Sequence, residues 1–184
     1  MADNLEDNVN DAIKEAEKAL GDMDIDVDKK QKAVSFRTLK ELYPKYLAGL
    51  KRVKYNGSTN GIGGFRASVA DAEYEEDDQS VDISIIDGGG MGMALMGMAA
   101  WSKFEIDEES DDGYKRTTTF DDHKALEECR DNNRRCSLTL LAYGRFIISL
   151  QGRDVEMKML KKMVRDMDLD RLVSMAKDAA KEGS

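Results

Sequence analysis

Apolar positions recur with two periods along the chain, and the change of period divides it. Leu5, Val9, Ile13, Ala16 and Leu20 stand three and four residues apart, which predicts a helix over 4–20 with Asn4 as cap and Gly21 as stop. Its apolar stripe is narrow and the remainder is acidic or amide. Such a helix docks on the domain or on a second copy, or stands as a solvated spacer. Asp22, Asp24, Asp26 and Asp28 follow on alternate residues, so 21–33 reads as an acidic linker and 1–33 as an appendage. Residues 34–184 are then a single domain. Leu39, Leu42 and Tyr43 give a short helical face within Val34–Leu47, halted by Pro44. Beyond it the period drops to two. Strands are predicted at Leu50–Tyr55, Phe65–Tyr74 and Val81–Ile86, forming a three-stranded antiparallel meander. Asn56–Gly64, rich in residues that accept positive φ, reads as loop. Ile85-Ile86 breaks the alternation and implies cover on both faces near the strand's end.

The stretch from Gly88 to Ser102 carries no charge. Its part 91–103 is predicted as a helix crossing the sheet. A strand is expected over Tyr114–Phe120, then a short helix capped by Asp121 or Asp122 and running through Cys129. Arg130–Arg135 reads as a polar turn. Ser137–Ala142 and Arg145–Gln151 form a hairpin through Tyr143-Gly144, and Gly152 ends the sheet. Asp154 caps a helix with the stripe Met159, Leu160, Met163, Val164 and Met167; Asp168 restarts it with Leu169, Leu172, Val173 and Ala176. The order βββ-α-β-α-ββ-α predicts an α+β domain: an antiparallel sheet of about six strands with helices packed on it, preceded by the N-terminal helix.

A chain of 184 residues suits one domain plus an appendage and needs no metal or disulfide to fold. Its formal charge of -9 argues against nucleic acid and against anionic lipid, both of which need a basic face. The longest uncharged run is too short for a membrane span of about 20 residues. Met1-Ala2-Asp3 opens no leader peptide, so a soluble protein is expected. Cys129 and Cys136 are the only cysteines. They either pair across the Arg130–Arg135 turn or stay as free thiols, and the expected helix through Cys129 favours free thiols.

Candidate chemistry is sparse. Gly88-Gly89-Gly90-Met91-Gly92 lies between a strand and a predicted helix, where backbone N–H groups hold phosphate in other proteins. No GxGxxG is present, because Met93 takes the last glycine's place, and no Lys-Ser/Thr follows. Small residues that allow close packing explain the run more simply. Met91, Met93, Met96 and Met98 offer thioethers suited to copper(I), but methionine more commonly fills cores or adaptable grooves. Asp22–Ala33 and Glu108–Thr119 each start like a calcium loop and fail at the twelfth position, so no metal is assigned. His123 is the sole histidine, in Asp121-Asp122-His123-Lys124, and any acid–base or nucleophile chemistry would hang on it and nearby carboxylates. No catalytic residue and no cofactor is assigned.

Several pieces together resemble a family of uncharacterised bacterial proteins often described as lipoproteins or secreted proteins. They are Val34-Ser35-Phe36 with Leu39–Pro44, Gly49–Arg52, Asp87–Trp101, Gly113–Thr117, Gly144-Arg145-Phe146 and Met167–Asp170. The resemblance covers about residues 34–175. It implies a domain held beyond the inner membrane by a charged tether, although this chain shows no lipobox cysteine. A cytoplasmic setting is the alternative. The order of strands and C-terminal helix is also similar, at fold level only, to Mog1/PsbP-like proteins.

These readings converge on a non-enzymatic binding or interaction domain. Its expected site is Gly89, Gly90, Met91, Met93, Met96, Met98 and Trp101, beside the Asn56–Gly64 segment. The expected partner is a protein or a small apolar ligand. Two alternatives stand: a subunit of a homo- or hetero-assembly, and a hydrolase-like enzyme using His123.

Overall fold

The computed structural model describes residues 32–62, 65–89 and 105–181. A four-residue helix α1 (Phe36–Leu39) runs into a 3-10 turn (Lys40–Leu42). Nine strands follow: β1 (Tyr46–Leu47), β2 (Leu50–Ile62), β3 (Phe65–Glu76), β4 (Gln79–Asp87), β5 (Asp107–Ser110), β6 (Gly113–Phe120), β7 (His123–Arg130), β8 (Arg135–Ala142) and β9 (Phe146–Arg153). Helices α2 (Met157–Asp166) and α3 (Arg171–Lys181) close the described chain.

All nine strands form one antiparallel sheet in the order β1-β2-β3-β4-β9-β8-β7-β6-β5. Two meanders, β1–β4 and β5–β9, meet where β9 pairs with β4. This corrects the expected α+β class: the fold is sheet-dominated, with nine strands rather than six and three short helices among the described residues. The β2–β3–β4 meander and the β8–β9 hairpin lie where the two-residue period places them.

The short strands β1 and β5 were not expected, and three further local corrections apply. First, the helix expected through Cys129 is strand β7. Asp121 and Asp122 both hold positive φ (46° and 63°), forming a two-residue turn that sends the chain straight back along β6. Second, Asn56–Ile62 is not loop but the upper half of β2, paired residue by residue with β3 as far as Ile62↔Phe65. Pairing over its whole length outweighs weak strand propensity. Gly57 is needed there, because a Cβ would lie 2.6 Å from the Phe36 ring. Third, Asp154 does not cap α2; it accepts from Arg134 Nε at 2.7 Å, and Glu156 stands at the cap without a side-chain bond. The stripe of α2 is as expected, with Leu160, Met163 and Val164 buried. The helices predicted over 4–20 and 91–103 lie outside the described residues.

Side-chain parity gives the sheet two unlike faces. Ala70, Ala72, Tyr74, Val81, Ile83, Ile85, Leu138, Leu140, Ile148 and Leu150 share the inner face and are buried there. Burial of a leucine or isoleucine on this scale contributes about 1.5–3 kcal/mol each. The helices meet this face: a Cβ on Gly152 would fall 2.1 Å from Val155 Cγ2 and 3.1 Å from Leu160 Cδ2, so α2 presses directly on the strand. Tyr43 is anchored beneath it by donating to Ala70 O at 2.6 Å.

Cys129 and Cys136 also stand on the inner face, directly opposite in the β7–β8 register, and are joined as a disulfide with Cα atoms 4.1 Å apart. The expectation of two free thiols is therefore corrected, because it assumed a helix that would have turned Cys129 away.

Candidate functional site

Of the expected site residues, Gly89 is described; Gly90, Met91, Met93, Met96, Met98 and Trp101 lie outside the described residues. Gly89 follows β4 at a buried ionic node. Arg145 donates Nε to Asp87 Oδ1 and Nη2 to Oδ2, each at 2.9 Å. The N–H groups of Val34 and Gly89 complete the carboxylate at 2.7 and 2.8 Å. Arg145 Nη2 also donates to Lys32 O at 2.7 Å. Asp87 is fully buried. The node thus fixes the entry to the domain, the end of β4 and the β8–β9 turn to one another, and its carboxylate is already occupied by protein donors. It is a structural clamp rather than a phosphate cradle.

The outer face of the sheet carries the larger surface. Cross-strand register arranges its side chains in three rows that run perpendicular to the strands. The lowest reads Lys54, Glu73, Asp82, Gln151, Ser137, Glu128, each directly opposite the next. The middle row reads Asn56, Asp71, Ser84, Ser149, Thr139, Leu126. The upper row reads Ser58, Val69, Ile86, Ile147, Leu141, Lys124 and is apolar at its centre. With strands about 4.8 Å apart, each row spans about 24 Å.

Two open concavities occupy the polar rows, of about 400 and 520 Å³, and both are lined by Asp82, Ser149 and Gln151. The short hydroxyl side chains leave room: Thr139 and Ser149 share a hydrogen bond at 3.3 Å. Charge on this face is not fully compensated. Glu73 and Asp82 are direct cross-strand neighbours, and the Asp82 carboxyl is pushed above its usual range, chiefly by burial and then by Glu73, against the pull of Arg153 and Lys54. In the upper row Ile147 and Leu141 are only 4% and 8% exposed. Ile85 is buried on the inner face and Ile86 half-buried on the outer one, as their broken alternation implies.

His123 opens β7 with its ring 4.6 Å from that of Tyr143, whose hydroxyl donates to Asp170 at 2.6 Å. Burial, then the bond to Asp170, pushes the tyrosine up to about 12. Among the described residues no hydroxyl or thiol hydrogen-bonds to His123, so a nucleophile–base pair is not assembled there. Among the same residues no group of three or more His, Cys, Asp or Glu is placed to hold a metal.

Sequence reasoning missed Glu127, because a helix and not a strand was expected there. It is fully buried on the inner face between Arg116, whose Nη2 meets Oε2 at 2.9 Å, and Lys161 of α2, whose Nζ lies 2.5 Å from Oε1. Period-two alternation of Ala125, Glu127 and Cys129 was the available signal. The polar rows were also missed, since register between strands is not written in any one strand.

No family model, curated protein or solved structure matches the chain. No described helix is long and apolar enough to cross a membrane.

Proposed function

We propose that the chain is a non-enzymatic binding domain that receives a protein partner on the open face of its sheet. The observation that carries this reading is the register itself: two rows of charged, amide and hydroxyl side chains lie side by side over about 24 Å, with open concavities along them. A small apolar ligand suits this surface poorly, because the concavities are open and lined by carboxylate, amide and hydroxyl groups. A protein surface suits it better, because it can match extended rows of charged, amide and hydroxyl side chains. The buried Cys129–Cys136 disulfide supports an oxidising, extracytoplasmic setting.

The test is photo-crosslinking in the native host from a benzophenone amino acid at Ser149, with Ser174 on α3 as control. A discrete adduct formed at Ser149, absent at Ser174 and abolished by Asp82→Lys, is the expected result. Identical adducts from both positions would remove the open face as the binding surface.

A second reading, a subunit of a larger assembly, is favoured by Tyr46, Val53 and Tyr55, which are 58%, 51% and 38% exposed together at one edge of the sheet. Size-exclusion with light scattering tests it; a monomer at all concentrations would exclude it.

A further inference from the structure

The two edges of the sheet differ in charge. At one end β5 carries Asp107, Glu108 and Glu109. At the other, residues 36–55 hold Arg37, Lys40, Lys45, Lys51, Arg52 and Lys54 against a single carboxylate, Glu41, in a protein of net charge -9. Glu41 is already met by Arg171 at 2.9 Å. Among the described residues none of these six cations forms an ion pair. Four of them sit over aromatic rings instead. Arg37 lies 4.6 Å from the ring centre of Phe36, Lys40 and Arg52 lie 3.7 and 4.2 Å from that of Tyr55, and Lys45 lies 5.7 Å from that of Tyr46. Phe36 and Tyr55 lie toward the inner face of β2, whereas Lys51 and Lys54 stand on its outer face, opposite Glu75 and Glu73. Cations therefore flank β2 on both faces.

Between those cations runs an open backbone edge. β1 pairs with Leu50 and Lys51 alone, and Arg52 N–H donates to Lys45 O. The register with β3 shifts at Val53, which bulges, and is regular again from Lys54 to Ile62. Residues 54–60 pair with β3 on one side and with no described strand on the other. Lys54, Tyr55, Asn56, Ser58, Thr59 and Asn60 are all exposed. Seven such residues span about 23 Å, the length of an ordinary strand.

We propose that this edge receives an acidic, extended segment of another protein, which pairs with residues 54–60 as an added strand. The backbone of β2 supplies the pairing and the flanking cations supply the selectivity. Side chains of an added strand alternate between the faces, so acidic residues on its outer side meet Lys51 and Lys54, and those on its inner side meet Arg37, Lys40 and Arg52. A second copy fits less well. Its own β2 edge would set cations against cations, the pairing that edge lysines deter. Its β5 has the right charge, but its four residues fill only part of the open stretch. This inference does not depend on what the open face binds.

Hydrogen exchange by mass spectrometry on the full chain decides it, with and without an excess of a synthetic peptide of alternating glutamate and valine, about eight residues long. The peptide should slow the amides of 54–60 by at least about tenfold, leave β4 and β9 unaffected, and lose its effect as salt is raised. The same peptide N-methylated at alternate residues cannot complete the pairing and should slow nothing. Arg37→Glu with Lys40→Glu, two changes away from the open face, should weaken the effect of the acidic peptide and strengthen that of a peptide with lysine in place of glutamate. Misfolding does not produce that exchange of preference. Equal slowing by the two peptides in the parent, or none by either, would overturn the proposal. Equal slowing by oligothymidylate would also overturn it and make nucleic acid the occupant. Amides of 54–60 already slow in the protein alone would overturn it as well, and loss of that protection on dilution would make a second copy the occupant.

Discussion

The two faces of the sheet treat charge in opposite ways. On the inner face Asp87 and Glu127 are both fully buried, and each meets cations from other elements. Burial raises the Glu127 carboxyl, but Lys161 and Arg116 together outweigh it and hold it below its ordinary value. On the outer face Asp82 looks directly at Glu73 and is displaced the other way. Inner-face charges therefore belong to the fold, tying β4 to the β8–β9 turn and α2 to β6–β7. On the outer face the Asp82 carboxylate works against it. A surface that carries opposed carboxylates at some expense of stability is shaped by something other than folding, and this favours the open face as the working one.

The contrast is sharpest at Arg145. Arg145→Ala leaves Asp87 buried without its partner and should destabilise by about 3–5 kcal/mol in urea unfolding. Arg153→Ala on the outer face should stay within about 0.5 kcal/mol. If Arg145→Ala cost no more than Arg153→Ala, the buried Arg145–Asp87 pair would not be a clamp on the fold. Next in size is the disulfide. It closes a short loop, so replacing both cysteines by alanine should lower stability by about 2–3 kcal/mol, and the parent in reductant should fall by a similar amount. An unchanged melting temperature in reductant would show that the bond is not formed in solution.

Much of this fold was legible where the period held. Val81, Ile83 and Ile85 alternate, and so do Phe146, Ile148 and Leu150; both sets are inner-face core. The stripe of α2 was equally plain. What failed was local chemistry that serves two structures: Asp121-Asp122 caps a helix or, with positive φ, turns a hairpin. Choosing the helix hid Glu127, the facing cysteines and strand β7. Asn56–Ile62 misled in the reverse direction, because its strand is imposed by β3 rather than by its own residues. The rows of the open face are a property of register alone. Of the expected site, Gly89 proves to be a donor to Asp87, and its fellow residues fall outside the described chain.

Glu127→Gln tests the inner face more finely. Its cations are partly exposed and can return to water, so the loss at pH 7 should be about 1–2 kcal/mol, smaller than at Arg145. Because the folded carboxyl titrates below its unfolded value of 4.5, its contribution is present at neutral pH and vanishes as pH falls through the folded value. The gap between parent and variant should therefore close in acid. A gap that stayed constant down to about pH 3 would assign the loss to packing instead of charge.

Asp82→Asn is the smallest effect and carries the opposite sign. The raised carboxyl means that ionised Asp82 is less comfortable folded than unfolded, with burial the leading cause and Glu73 the next. Neutralising it should stabilise the protein by roughly 0.2–0.5 kcal/mol at pH 7. A raised folded value places the penalty at neutral pH and removes it below the unfolded value of 3.8, so the gain should disappear in acid. Unfolding curves at pH 7 and at about pH 3 separate the outcomes. A variant that is less stable at pH 7 would mean that Arg153 and Lys54 already satisfy Asp82, and the outer face would then be compensated like the inner one. A variant that gains stability yet loses the Ser149 crosslink would place the same carboxylate against folding and for binding.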